Sequence, residues 1–236
     1  MTCRLFAVSF DASQPLRLAR FWAGLLGREI AEDAGGPLVP GNDTQVGLRF
    51  VPSPTEKTGR NRIHLHLTSA SPADQQHTVA AALGLGASHL DVGQLPEEGH
   101  IVLADPEGNE FCVIEPGNNF LAGCGFLGEL ACDGTREVGL FWSEALGWPL
   151  VWDQDEETAI QSPHGGTKIA WGGPPLAPKP TRNRQRFDLA PPIRGDQSSE
   201  VERLLSLGAT RLAVDADGTV VLADPDGNEF CVLTPR

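Results

Sequence analysis

Residues 102–113 read VLADPEGNEFCV and residues 221–232 read VLADPDGNEFCV, differing only at Glu107 against Asp226. The correspondence continues backwards along the chain. LGLGASHL (83–90) matches LSLGATRL (205–212), RNRIHLHL (60–67) matches RNRQRFDL (182–189), and FWAGLLG (21–27) matches FWSEALG (141–147). The offset drifts between 119 and 122 residues from block to block, as insertions in surface loops of two diverged copies would make it. The copies meet at the turn-rich Pro116-Gly117-Asn118-Asn119, which divides the chain into domains 1–117 and 118–236.

Periodicity gives each half its elements. RLFAVSF (4–10) alternates like a strand, with Leu5, Ala7 and Ser9 on one face and Phe6, Val8 and Phe10 on the other. From Pro15 to Leu26, the residues Leu18, Phe21, Trp22 and Leu25 fall on one helical face, and Gly27 ends the helix. REIAED (28–33), the region of Leu38-Val39, and QVGLRFV (45–51) read as strands between Gly, Pro and Asn clusters. NRIHLHLTS (61–69) opens a second unit, followed by a helix that starts at Ser71-Pro72 and ends at Gly86. Strands near Ser88–Val92, His100–Ala104 and Glu110–Ile114 complete it. The second half repeats the order, with helices from about Thr135 to Leu146 and from Gln197 to Leu207. The fold class is therefore α+β, with the β-α-β-β-β unit present four times.

Composition narrows the function. With 236 residues, 40% of them hydrophobic, the chain can bury the cores of two ordinary domains. A net charge of −13 repels phosphate backbones and anionic lipid, so neither nucleic acid nor membrane is expected as a partner. The N-terminal MTCRLFAVSFDASQP meets Asp11 before an apolar run accumulates, and no stretch approaches the roughly 20 apolar residues of a membrane span. A cytoplasmic location is the expectation. The five cysteines lack CxxC spacing and read as reduced thiols.

Paired β-α-β-β-β units, a helix ending FW…LG and a late DP-x-G-N-E hairpin resemble the vicinal oxygen chelate superfamily of glyoxalases, bleomycin-resistance proteins and extradiol dioxygenases. Within it, the hairpin is similar to that of a glyoxalase-like subgroup of actinobacterial type. The resemblance implies a cupped eight-stranded sheet in each half, helices on its convex side, a small-molecule site in its concave side, and the two domains packed as an internal pseudo-dimer. It also implies a possible divalent metal (zinc, iron, nickel or manganese), held from the first, fifth and last strands of a cup. The last ligand is commonly Glu, four residues after DP-x-G, and here that position holds Cys112 and, in the second copy, Cys231. A small soft thiol flanked by Phe and Val reads as a small hydrophobe, or as a zinc ligand.

His64 and His66 share the polar face of their strand and point together into the first cup. They are ligand-binding residues of a pocket or, with Cys112, a metal set; the missing carboxylate favours a metal-free pocket. Their counterparts in the second copy are Arg186 and Asp188, and its first strand offers Glu129. A guanidinium repels a divalent cation and suits an anionic group, so Glu129 and Arg186 are expected to pair across the second cup, or to be an ordinary exposed pair. Trp148 and Trp152 flank Leu150 at alternate positions and, with Trp171, form either core or an apolar wall for a planar ligand, whereas Trp22 and Trp142 occupy equivalent core positions. The ADP-x-GNE segments read as hairpin geometry, and EKTGRNR (56–62) and KPTRNR (179–184) as solvated rim charges. The functional expectation is metal-independent binding of a small organic molecule, of the drug-sequestering kind. The alternative is a metal-dependent lyase, isomerase or dioxygenase acting on vicinal oxygens. In either case one cup can work while the other supports it.

Overall fold

The computed structural model describes residues 2–95, 97–176, 178–179, 181–192 and 196–235. The first β-α-β-β-β unit contains β1 (Arg4–Ala12), α1 (Pro15–Leu26), β2 (Leu38–Val39) and β3 (Gly47–Pro52). The second contains β4 (Ile63–Leu67), α2 (Pro72–Gly84), β5 (Ser88–His89), β6 (Ile101–Ala104) and β7 (Glu110–Val113). In the third are β8 (Leu127–Cys132), α3 (Arg136–Leu146), β9 (Leu150–Gln154), β10 (Glu157–Gln161) and β11 (Lys168–Trp171). The fourth has β12 (Gln185–Ala190), α4 (Gln197–Ser206), β13 (Thr210–Val214), β14 (Val220–Ala223) and β15 (Glu229–Val232).

These strands form two sheets, and each sheet draws on both halves. The order β5-β6-β7-β4-β8-β11-β10-β9 joins units two and three into an eight-stranded central sheet. The order β13-β14-β15-β12-β1-β3-β2 joins units four and one into a terminal sheet of seven strands, with a single bridge from Ala31 to Leu38 where an eighth would lie. The seams are antiparallel: β4 pairs with β8, and β1 pairs with β12. The expectation of a cup within each half is corrected here. All four units share one periodicity, so a strand's pattern does not say which unit it lies beside, and the opening strands of units from opposite halves pair with each other. REIAED also differs from its expected strand. The Asp33 carboxylate accepts from Gly35 N at 3.0 Å, and Gly36 adopts a φ of 122°, which turns the chain after one bridge.

Helices α1 and α3 lie between the convex backs of the two sheets, because their apolar faces have a sheet on either side. Trp22 on α1 packs against Phe10 of β1 and Phe111 of β7, while Trp142 on α3 packs against Phe187 and Phe230 of the terminal sheet. Both tryptophans are fully buried, as their equivalent positions predict. Their indole N–H groups donate to Asp105 and Asp224, each at 3.2 Å.

Those carboxylates belong to the duplicated hairpins, which therefore do more than turn the chain. Asp105 accepts from the backbone N–H groups of Glu107 (2.9 Å) and Asn109 (3.0 Å), which sets the turn. Helix α1 begins at Gln14 without a side-chain cap of its own, and Glu107 supplies one by accepting from Ser13 N (2.8 Å) and Gln14 N (2.6 Å). Asp226 accepts from Thr135 N at 2.6 Å at the start of α3. The one position at which the repeats differ thus keeps its acid because it faces a helix N-terminus in both. Glu110 and Glu229 bind Lys57 (2.6 Å) and Lys179 (2.7 Å), so these lysines are half-buried anchors rather than solvated rim charges. Of KPTRNR, Pro180 lies outside the described residues. In β1 a register shift between Leu5 and Ala7 turns Leu5 into the core and places Phe6 beside Cys231, inverting the expected phase at that end.

Candidate functional site

The concave face of the central sheet can be read as two rows, because side chains of one face recur at every second residue and partners in register lie side by side. One row runs Cys112, His66, Glu129, Lys168 across β7, β4, β8 and β11. The next runs His64, Ala131, Ala170, Ala159, Trp152 across β4, β8, β11, β10 and β9. The odd positions Ile169 and Trp171 face the core instead.

In the first row His66 donates from Nδ1 to Glu129 Oε2 at 2.7 Å. Burial alone would lower the His66 pKa, but hydrogen bonds to Cys112 and Glu129 and the Glu129 charge outweigh it and raise it to about 10. At neutral pH the pair is an imidazolium and a carboxylate. His64 goes the other way: burial lowers its pKa, only partly offset by Glu110, and the ring stays neutral. Lys168 lies over the Phe120 ring, with Nζ 4.3 Å from the centroid, and donates to the Phe120 carbonyl.

Above these rows lies a cavity of about 750 Å³. Phe120 and Trp152 form one wall, edge to face at 6.1 Å, and Glu129, Lys168, Ala131 and Ala170 lie beneath. Trp152 is 41% exposed, which is unusual for a large aromatic. Trp171 touches one end of the cavity but is itself 2% exposed and packs in the core. Trp148 lies elsewhere, half-buried against the core and lining a surface groove with Arg4, Phe6 and His164.

The terminal cup is filled by its own charges. Arg49 binds Asp188 at 2.8 Å and Asp33 at 3.1 Å, and its guanidinium lies 4.9 Å from the Phe6 ring centroid. Ser9 donates to the same Asp188, and Arg186 binds Asp11 at 2.8 Å. The expected Glu129–Arg186 pair is therefore absent: the two residues lie in different sheets, each with another partner. Burial would lower the Arg186 pKa, but Asp11 more than compensates and the guanidinium stays charged. Cys231 is buried with Val221 and Leu233, and burial raises its thiol pKa to about 12, so it behaves as a small apolar side chain.

Of the candidates expected from sequence, the central sheet carries His64, His66, Glu129 and Trp152 on one face, with Glu129 beside His66 rather than Arg186, while Arg186 and Asp188 lie in the terminal sheet. Lys168, Phe120, Ala131 and Ala170, which line the cavity, were not among those candidates. The alternation in KIAW (168–171) marks Lys168 and Ala170 as sharing a face, but their place beside Glu129 and Ala131 follows only from the pairing of β8 with β11.

A model of the Glyoxalase-like domain matches residues 7–114 and, a second time, residues 129–233. The chain belongs to this family, within the vicinal oxygen chelate superfamily. Glyoxalase I from Zea mays is 12% identical over 99% of this chain and 93% of its own, with a TM-score of 0.65. A dioxygenase-like protein from Bacillus subtilis is 13% identical over 99% of this chain and 86% of its own, with a TM-score of 0.63. At such identities these structures establish the fold. No curated protein matches the chain.

A divalent metal needs several donors converging on one point, and among the described residues no three His, Cys, Asp or Glu side chains do so. In the central cup the His66 nitrogen already holds a proton against Glu129, and the Lys168 ammonium stands next to Glu129 in the row. In the terminal cup the cation among the carboxylates is Arg49. Among the described residues, His64, His66 and Cys112 do not form such a converging set.

Proposed function

We propose that the protein binds a small organic molecule, without a metal, in the central cup. The observation that carries this reading is the 750 Å³ cavity walled by Phe120 and Trp152 over Glu129, which His66 holds from the neighbouring strand. A concave, largely apolar space with a few polar groups at one side is the usual form of a small-molecule site. The donor set among the described residues argues against a metal-dependent lyase, isomerase or dioxygenase. The terminal cup, filled by the Arg49 and Arg186 ion pairs, serves as support. The chain works as an internal pseudo-dimer with one open cup.

The test is calorimetric titration of planar aromatic compounds into protein purified without chelator, alongside elemental analysis of the same preparation. Saturable binding that Trp152→Ala weakens, in protein free of transition metal, is the expected result. Stoichiometric metal lost on His66→Ala would overturn the metal-free reading.

A further inference from the structure

The rows of the central cup also indicate the chemistry of the occupant, given that the cup binds a small molecule at all. The three alanines Ala131, Ala170 and Ala159 lie in register on adjacent strands. Ala131 and Ala170 line the cavity while Ala159 is fully buried, so the open apolar floor is the Ala131–Ala170 pair, whose strands are about 4.8 Å apart. Trp152, in register with the buried Ala159 on β10, closes the end of that floor. Fused aromatic rings match a flat floor with an aromatic wall; a bulky aliphatic body does not.

The polar row gives the head group. Glu129 is held by His66 at 2.7 Å, so those two charges compensate each other. Among the described residues Lys168 meets the carbonyl and the ring of Phe120, and no carboxylate lies within ion-pair distance of it. One positive charge therefore stands at this end of the floor. The carboxylate of Glu157 lines the same cavity four residues along β10 from Gln161, the neighbour of Lys168, and so about 13 Å away. A second acidic group at that end of a ligand would meet like charge.

We propose that the central cup takes a planar aromatic monoacid, its rings on the Ala131–Ala170 floor against Trp152 and its carboxylate or phenolate at the Lys168 ammonium. Lys168 reads the charge, through a charge-assisted hydrogen bond that a neutral or cationic analogue cannot make.

Calorimetric titration of the full chain at neutral pH with 2-naphthoate, 2-naphthamide and 2-naphthylmethylamine separates the possibilities. Naphthoate is expected to bind about tenfold or more tighter than the amide, and the amine weakest of the three. K168M, which keeps the aliphatic stem, is expected to bring the affinity for naphthoate down to that of the amide. A170L is expected to abolish binding of all three, with thermal unfolding confirming that the variant is folded. Equal binding of acid and amide, both lost in A170L, would overturn the acid assignment and leave the binding cup standing. So would an acid preference that survives K168M. Absence of saturable binding by any of the three overturns this proposal, while binding of other planar compounds that Trp152→Ala weakens would still support the cup.

Discussion

Trp22 and Trp142 each place a large apolar body between two sheets and end on a buried carboxylate, Asp105 or Asp224. Burial raises both carboxyl pKa values to about 6, against the pull of their hydrogen bonds. Replacing either tryptophan with Phe keeps most of the packing and leaves the carboxylate one donor short. Each change is expected to cost about 1–3 kcal/mol, read as a lower urea midpoint at an unchanged m-value. His66 offers a second measurement. Its folded pKa of about 10 lies above the ordinary 6.5, so its contribution is fully present below pH 6.5 and is lost as pH rises towards 10. Stability should therefore fall by at most about 1.4 kcal/mol per pH unit between pH 6.5 and pH 9, and the slope should be shallower in Glu129→Gln. The raised Asp105 and Asp224 act in a separate window, from the usual carboxylate range up to pH 6, and there too stability falls with rising pH. An alkaline limb equally steep in wild type and Glu129→Gln would remove the ion pair from the account.

Helix α3 crosses β10 closely enough that one position has no room for a side chain. A Cβ at Gly139 would stand 1.9 Å from Thr158 Oγ1 and 2.7 Å from its Cβ. In an exposed helix Gly139→Ala would gain about 1 kcal/mol. Here it is expected to cost about 1–3 kcal/mol by overpacking, and adding Thr158→Ala should restore most of the loss in thermal unfolding. Elements of this kind were largely legible from sequence. The apolar spacing of α1 predicts its span, Gly27 ends it at a φ of 63°, and Ser71 caps α2 by accepting from Asp74 N. REIAED was not, because its alternation is overridden by the turn that Asp33 and Gly36 impose. Periodicity reports which residues share a face; it is silent on which strand lies alongside. For that reason His66 and Glu129 could be named separately as site residues, while their contact, and Lys168 beside them, could not.

At the scale of the whole molecule, the duplication and the sheets follow different divisions. Each half is tied internally by its tryptophan and hairpin, while each sheet is completed by a strand seam to the other half. Fragments 1–117 and 118–236 made separately would expose β1, β4, β8 and β12 as open edges. Neither is expected to be a folded monomer, and mixing the two should give a 1:1 complex with the circular dichroism of the intact chain, as light scattering after gel filtration would show. A cooperatively folding monomer from either fragment would contradict the seams.

The interleaving has a further consequence for how the two cups can change. The central sheet is encoded by one uninterrupted stretch, residues 63–171, and the terminal sheet by the two tails that flank it. No unit serves both. Two identical subunits meeting along the same seams would repeat every substitution in both cups, but joined end to end they need not. The middle of the gene can therefore change independently of its flanks, whose cup is held by the Arg49 and Arg186 ion pairs.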